Sequence, residues 1–126
     1  METVDSLGIG VDIESVDRFE GLARLRDSRL LERLFTPGEL DYCFARRPPA
    51  PHLAARYAAK EAVIKALSSL GRSKPRYRDI EVRNNEDGVP QVTIHRDGFS
   101  DLRIYLSLSH CRDKAVAFTL VTRKRA

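Results

Sequence analysis

Arg56-Tyr57-Ala58-Ala59-Lys60-Glu61-Ala62-Val63-Ile64-Lys65-Ala66 is the stretch on which the fold turns. Alanine dominates it, neither Gly nor Pro interrupts it, and its only β-branched residues are Val63 and Ile64, so its propensity is strongly helical. Ala55, Ala58, Ala59, Ala62, Val63, Ala66 and Leu67 recur at three- and four-residue steps, which makes a face for close packing against a neighbour. Side chains this small let the helix backbone approach whatever lies beneath it. Glu61 and Lys65, four apart, emerge as neighbours on one side. Taken alone, that pair reads as a solvated ion pair of little energetic weight.

Working outward, the helix is predicted over 53–70, with Gly71 as its C-terminal cap. Upstream, Pro48-Pro49 must end any preceding helix. Thr36-Pro37-Gly38-Glu39 starts that preceding helix: Thr36 as N-cap, Pro37 in the first turn and Glu39 closing a capping box. Leu40, Tyr42, Cys43 and Phe44 lie on it. Residues 7–13 read as a strand, apolar apart from Gly8 and Gly10 until Asp12. A helical stretch follows, with Phe19, Leu22 and Leu25 inward; after a break at Asp27-Ser28, Leu30, Leu31, Leu34 and Phe35 continue the pattern. Residues 80–83 and 91–95 read as strands joined through the turn Asn84-Asn85-Glu86-Asp87-Gly88. Residues 104–109 and 115–122 form a second pair, turning at Cys111-Arg112-Asp113-Lys114. The expectation is a single α+β domain over 1–126, with helices packed on one side of a mainly antiparallel sheet.

At 126 residues such a domain buries roughly two thirds of its unfolded surface. No apolar run is long enough to span a bilayer. Met1-Glu2-Thr3-Val4-Asp5 is acidic and lacks the basic start of a signal peptide. Cys43 and Cys111 have no metal-like spacing, and their pairing is not readable from sequence; with no export signal, reduced thiols and a cytoplasmic setting are expected. A net charge of +4 and a pI near 9.3 suit a polyanionic partner. Arg18, Arg24, Arg26, Arg29 and Arg33 crowd one short stretch, and Arg46-Arg47 precedes the prolines. By themselves both clusters read as solvated helix ends and loops. Arg123-Lys124-Arg125 reads as a frayed basic tail.

Two further segments place polar groups in otherwise buried strands: Gly8-Ile9-Gly10-Val11-Asp12-Ile13-Glu14, and Ser107-Leu108-Ser109-His110 before the apolar run 115–121. The order G-I-G-x-D-I-x-x-x-x-R, R-Y-A-x-K-E-A-x-x-K-A, D-I-E-V with G-x-P, and S-L-S-H resembles the short-chain 4′-phosphopantetheinyl transferases, the holo-[acyl-carrier-protein] synthase group. The similar segments span 8–121. No one motif suffices; four in order do. The resemblance implies transfer of 4′-phosphopantetheine from coenzyme A to a serine hydroxyl of an apo acyl carrier protein, with adenosine 3′,5′-bisphosphate leaving. It implies that Asp12 and Glu61 hold Mg²⁺, a hard cation suited to two carboxylates, phosphate oxygens and water. Lys65 would stabilise charge on the diphosphate. Asp12, Glu61 and Lys65 are then the catalytic set, with Glu61 the first candidate for the base. Arg56, Lys65, Ser109, His110 and Arg46 would contact coenzyme A; Arg46 or Arg47 would take its 3′-phosphate. Arg18 and Arg24 would meet the acidic carrier, with the other N-terminal arginines steering the encounter. The resemblance also implies a cytoplasmic homotrimer with active sites between subunits, in fatty-acid or polyketide synthesis.

Tyr57 stands where phenylalanine is usual in that group, and its hydroxyl needs a partner if buried. Leu67-Ser68-Ser69-Leu70-Gly71 departs from a Leu-Gly-x-Gly turn. Cys111 beside His110 is no dyad, because adjacent strand residues face opposite ways. Two other functions compete: a metal-dependent phosphohydrolase using the same Asp12–Glu61 pair with water as the nucleophile, and a non-enzymatic small basic nucleic-acid-binding module. Against the latter stand the absence of Trp, scattered basic residues and no recognisable motif; the expected partners exclude nucleic acid and membranes.

Overall fold

A computed structural model describes residues 7–25 and 28–125. The acidic N-terminal pentapeptide and the Asp27 half of the expected break, together with Arg26, lie outside the described residues. Among the described residues, five strands and four α-helices follow one another: β1 (Leu7–Ser15), α1 (Asp17–Glu20), a 3₁₀ turn (Leu22–Arg24), α2 (Arg29–Leu34), α3 (Pro37–Phe44), α4 (Ala50–Ser69), a second 3₁₀ turn (Tyr77–Asp79), β2 (Ile80–Asn84), β3 (Pro90–Ile94), β4 (Leu102–His110) and β5 (Lys114–Arg123). β1, β5 and β4 form an antiparallel sheet in that order, and β2 and β3 form a separate hairpin. The architecture is α+β with all strand pairs antiparallel.

The alanine face explains the assembly. Gly8 and Gly10 of β1 lie directly beneath α4: a Cβ at Gly8 would stand 2.3 Å from the carbonyl oxygen of Ala66, and one at Gly10 1.9 Å from that of Ala62. Glycine is obligatory there because backbone meets backbone. Ala58, Ala59, Ala62, Val63, Ala66 and Leu67 are fully buried, as are Ala115, Ala117 and Val121 of β5. Strand alternation then fixes what else faces α4. Gly8 pairs with Val121, Gly10 with Thr119, Asp12 with Ala117 and Glu14 with Ala115, and His110 of β4 lies opposite Ala115. Asp12, Glu14 and His110 therefore sit on the helix side of the sheet. The other side carries Leu7, Ile9, Val11 and Ile13, 43–61 % exposed, with Phe118 and Tyr105.

The capping box at Thr36 and Glu39 forms as expected, and Gly71 takes a positive φ just beyond α4. Helix α4 begins at Ala50, with Pro51 in its first turn, rather than at residue 53, because proline is tolerated where N–H groups have no helical acceptor. Leu25 and Leu30, expected inward, are 61 % and 47 % exposed. The 3₁₀ turn has fewer residues per turn than an α-helix, so the apolar phase set by Phe19 is lost by Leu25. Ser28 then restarts the helix as N-cap of α2, accepting from Leu31 N, and Leu31 and Phe35 regain the core. The basic tail is less free than expected: Arg123 ends β5 and Lys124 N donates to Asp101 O.

Candidate active site

Asp12 and Lys65 meet where β1 passes under α4. Lys65 Nζ donates to Asp12 Oδ1 at 3.1 Å and to the carbonyl of Val11 at 3.0 Å. The lysine thus pairs across to the strand rather than with Glu61 one helical turn away. Glu61 instead accepts a 2.6 Å hydrogen bond from the Tyr77 hydroxyl. Burial and the contact with Glu61 push the Tyr77 phenol well above its ordinary range. Tyr57 stacks on Tyr77 with ring centroids 5.5 Å apart, which supports the residue that orients Glu61.

Two features make the Asp12 corner short of positive charge. Its Oδ2 is buried and lacks a hydrogen-bond partner. Glu14, two residues along the same face, has its carboxyl pushed up to about 7, first by burial and then by Asp12, with Arg18 acting in the opposite direction. Its carboxylate oxygen accepts from Arg18 Nη1 at 2.9 Å. An orphaned carboxylate oxygen beside a reluctant carboxylate is what a cation relieves. Among the described residues no three His, Cys, Asp or Glu side chains cluster as a metal cage. Mg²⁺ does not require one, since substrate phosphates and water complete its shell. Asp12 therefore offers such an ion a ligand, and Glu61, whose Oε1 accepts from Tyr77, is the second carboxylate expected from the sequence. Glu14 was not singled out from the sequence, although the i, i+2 spacing from Asp12 was the available signal.

The remaining basic side chains form separate groups. Arg46 and Arg56 lie with their guanidinium carbons 3.3 and 3.8 Å from the Tyr42 ring centroid, and His110 approaches them through His52, 5.6 Å from it. Ser109, by strand alternation, points to the opposite, exposed face of the sheet. The expected coenzyme contacts are thus divided between Lys65 near Asp12, this basic cluster near the N-terminal end of α4, and Ser109 on the outer face. Arg18, with a 60 % exposed side chain, lies over the rings of Tyr57 and Phe19. Burial works against its charge, but Tyr57 and Glu14 outweigh that and raise its pKa. The same contact gives the Tyr57 hydroxyl its polar neighbour. Arg24 lines a cleft of about 530 Å³ with Pro48, Pro49, Pro51 and Arg112. Arg29 and Arg33 line another of about 680 Å³ with Lys74, Arg76 and Arg78, and Tyr77 forms part of its wall.

Lys60, the first lysine of the motif, is fully buried. Its ammonium donates to Glu39 Oε1 at 2.7 Å and to the carbonyls of Tyr77 and Ile80. Burial lowers its pKa while Glu39 pulls the other way. Three acceptors match its three N–H donors, which keeps it charged and inert. Glu39 also accepts from Thr36 N and Val82 N.

The sequence model of the 4′-phosphopantetheinyl transferase superfamily matches residues 8–119. Among curated relatives, the holo-[acyl-carrier-protein] synthase of Thermodesulfovibrio yellowstonii is 45 % identical over 115 residues, covering 91 % of this chain and 97 % of the relative. That of Moorella thermoacetica is 43 % identical over 121 residues, 91 % and 93 % of the two chains. A solved complex of the Chronobacterium ammoniagenes enzyme with CoA superposes with a TM-score of 0.79 at 29 % identity, over 96 % of this chain and all of the other. The Bacillus anthracis holo-(acyl-carrier-protein) synthase in complex with CoA (3′,5′-ADP) gives 0.76 at 28 % identity, over 93 % and 96 %.

Proposed function

Since the chain belongs to the 4′-phosphopantetheinyl transferase superfamily, as a phosphopantetheinyl transferase of the holo-[acyl-carrier-protein] synthase type, we propose that it acts as a single magnesium-dependent domain on coenzyme A and an apo acyl carrier protein. The carrier serine oxygen attacks the β-phosphorus of coenzyme A, the bond to the bridging oxygen breaks, and adenosine 3′,5′-bisphosphate leaves. The observation that carries this reading is the Asp12 corner: a carboxylate with one oxygen bound by Lys65 and the other buried without a partner.

Asp12 and Glu61 would hold Mg²⁺, which supplies Lewis-acid neutralisation of the diphosphate. Lys65, 54 % exposed, is free to swing from Asp12 to a phosphate oxygen and stabilise the developing charge there. Tyr77 orients Glu61, and Glu61 is the candidate to take the serine proton. Arg46, Arg56 and His110 bind donor phosphate. Arg18 and Arg24 meet the acidic carrier, and Arg29 and Arg33 add to the field that steers it.

The apolar outer face of β1 supports a homotrimer. Four exposed aliphatic side chains in one row, flanked by Phe118 and Tyr105, are a surface that association covers. A site shared between neighbours also accommodates Ser109, which faces outward, as a coenzyme contact. The compartment this reading fits is the cytoplasm; no described helix is long and apolar enough to cross a membrane.

The test is intact mass of an apo acyl carrier protein incubated with the protein, coenzyme A and Mg²⁺. The expected result is a gain of one phosphopantetheine, abolished by chelation. Release of adenosine bisphosphate without any carrier would point instead to hydrolysis.

A further inference from the structure

Glu61 has two partners within reach and takes one. Lys65 follows it by four residues on α4, in the order that favours an ion pair on a helix surface. The structure gives neither residue to the other. Lys65 Nζ lies on Asp12 Oδ1 and the Val11 carbonyl, while Glu61 Oε1 accepts from the Tyr77 hydroxyl at 2.6 Å.

Tyr77 is fixed in that position from several directions. It opens the second 3₁₀ turn, which Asp79 closes by accepting from Arg76 N and from the Arg76 guanidinium. The Tyr77 carbonyl accepts from Lys60 Nζ at 2.8 Å. Two successive residues of α4 therefore grip Tyr77, one at its backbone and one at its hydroxyl. Its ring stacks on Tyr57, with centroids 5.5 Å and planes 20° apart. Tyr57 precedes Glu61 by four residues, so ring and hydroxyl meet neighbouring positions on one face of α4. Tyr57 is itself buried and packs on Phe19 at 5.4 Å, which leaves the stack little room to shift.

A hydrogen bond to a charged acceptor outweighs an exposed i, i+4 ion pair several-fold. The Tyr77 hydroxyl therefore decides which partner Glu61 keeps. An ion pair between Glu61 and Lys65 would occupy both groups at once, the carboxylate wanted at the reacting centre and the ammonium wanted at phosphate. We propose that Tyr77 is a positioning residue whose hydroxyl withholds Glu61 from Lys65 and so keeps both available. The inference rests on the roles given to Glu61 and Lys65 above and adds to them the residue that holds them apart. Tyr77 also lines the basic cleft with Arg29, Arg33, Lys74, Arg76 and Arg78. A contact with the carrier is therefore the rival role, and the test separates the two.

Tyr77→Phe keeps the ring, its stack and the carbonyl held by Lys60, and removes the hydroxyl alone. A crystal structure of this variant is expected to show the Glu61 carboxylate turned to Lys65 Nζ at ion-pair distance. In transfer to an apo acyl carrier protein, kcat is expected to fall about tenfold, the scale of one hydrogen bond to a charged group. The KM for carrier protein stays that of wild type, because the cleft wall is intact. A Glu61 carboxylate still clear of Lys65, or an unchanged kcat, would overturn the proposal. A raised KM for carrier with kcat unaltered would also overturn it, and would assign Tyr77 to the cleft. Absence of transfer by the wild-type protein would sink the transferase reading itself. The position of Glu61 in the Tyr77→Phe structure would then still decide whether the hydroxyl keeps it from Lys65.

Discussion

Gly10→Ala tests the packing that brings β1 and α4 together. The added Cβ would stand 1.9 Å from the Ala62 carbonyl oxygen, 2.9 Å from its carbon and 2.9 Å from Ala66 N. All three are backbone atoms, so no side chain can turn aside. Restoring even a 3.0 Å contact opens the strand–helix spacing by about 1.1 Å. Overpacking of this kind costs about 1–3 kcal/mol, and the rigidity of both partners places it at the upper end. For a chain of this size that is a fall in melting temperature of about 10 °C. The same displacement separates Asp12 from Lys65 and Glu61, and a 1 Å misplacement of reacting groups costs about a hundredfold in rate. Gly21→Ala is the control, since nothing lies within 4 Å of a Cβ there. Urea unfolding and the carrier-mass assay, run on both variants, check the two effects. A Gly10→Ala protein within about 0.5 kcal/mol of wild type and fully active would refute the account of why glycine occupies this strand.

Four further outcomes are expected. Asp12→Ala and Glu61→Ala abolish magnesium-dependent transfer while circular dichroism stays that of wild type; full activity in either would remove it from the metal set. Arg18→Ala raises the KM for carrier protein, more so at low salt, and an effect confined to coenzyme A would contradict its role. Lys60→Met leaves the buried Glu39 carboxylate without its counter-ion and costs about 3–5 kcal/mol by urea unfolding; a loss below about 0.5 kcal/mol would refute the pairing. Native protein titrated with a thiol reagent at pH 9 reacts at exposed Cys111 and not at Cys43, because burial holds the Cys43 thiol up at about 12; two fast thiols would show that α3 opens readily.

Local rules carried much of the structure. The capping box, the glycine-bearing strand, the alanine helix and both hairpins depend on residues near one another in the chain, and each formed, with α4 starting three residues earlier than expected. The exposed Leu25 and Leu30 mark where local reasoning fails, because a three-residue change of helical pitch resets which side faces inward. At the site, the motif lysines look equivalent in sequence. Lys60 nevertheless points into the core and Lys65 to the surface, a distinction set by Glu39, 21 residues away. The Glu61–Lys65 spacing was legible, but the partner each residue takes was not, since Asp12 and Tyr77 arrive from other elements.

An alanine-lined helix has a smooth surface, and smoothness brings an ambiguity: little in such a face stops the helix from rolling about its axis or sliding by a fraction of a turn. The two glycine slots in β1 define its height above the sheet but only weakly its rotation. The ammonium of Lys60 removes that freedom, since its acceptors come from three points fixed in space, on α3, at Tyr77 and at Ile80. It acts as a locating pin, and because Glu61 is its immediate neighbour, the pin sets the azimuth at which the carboxylate is presented. Activity in this protein is therefore tied to a charge that never meets solvent or substrate.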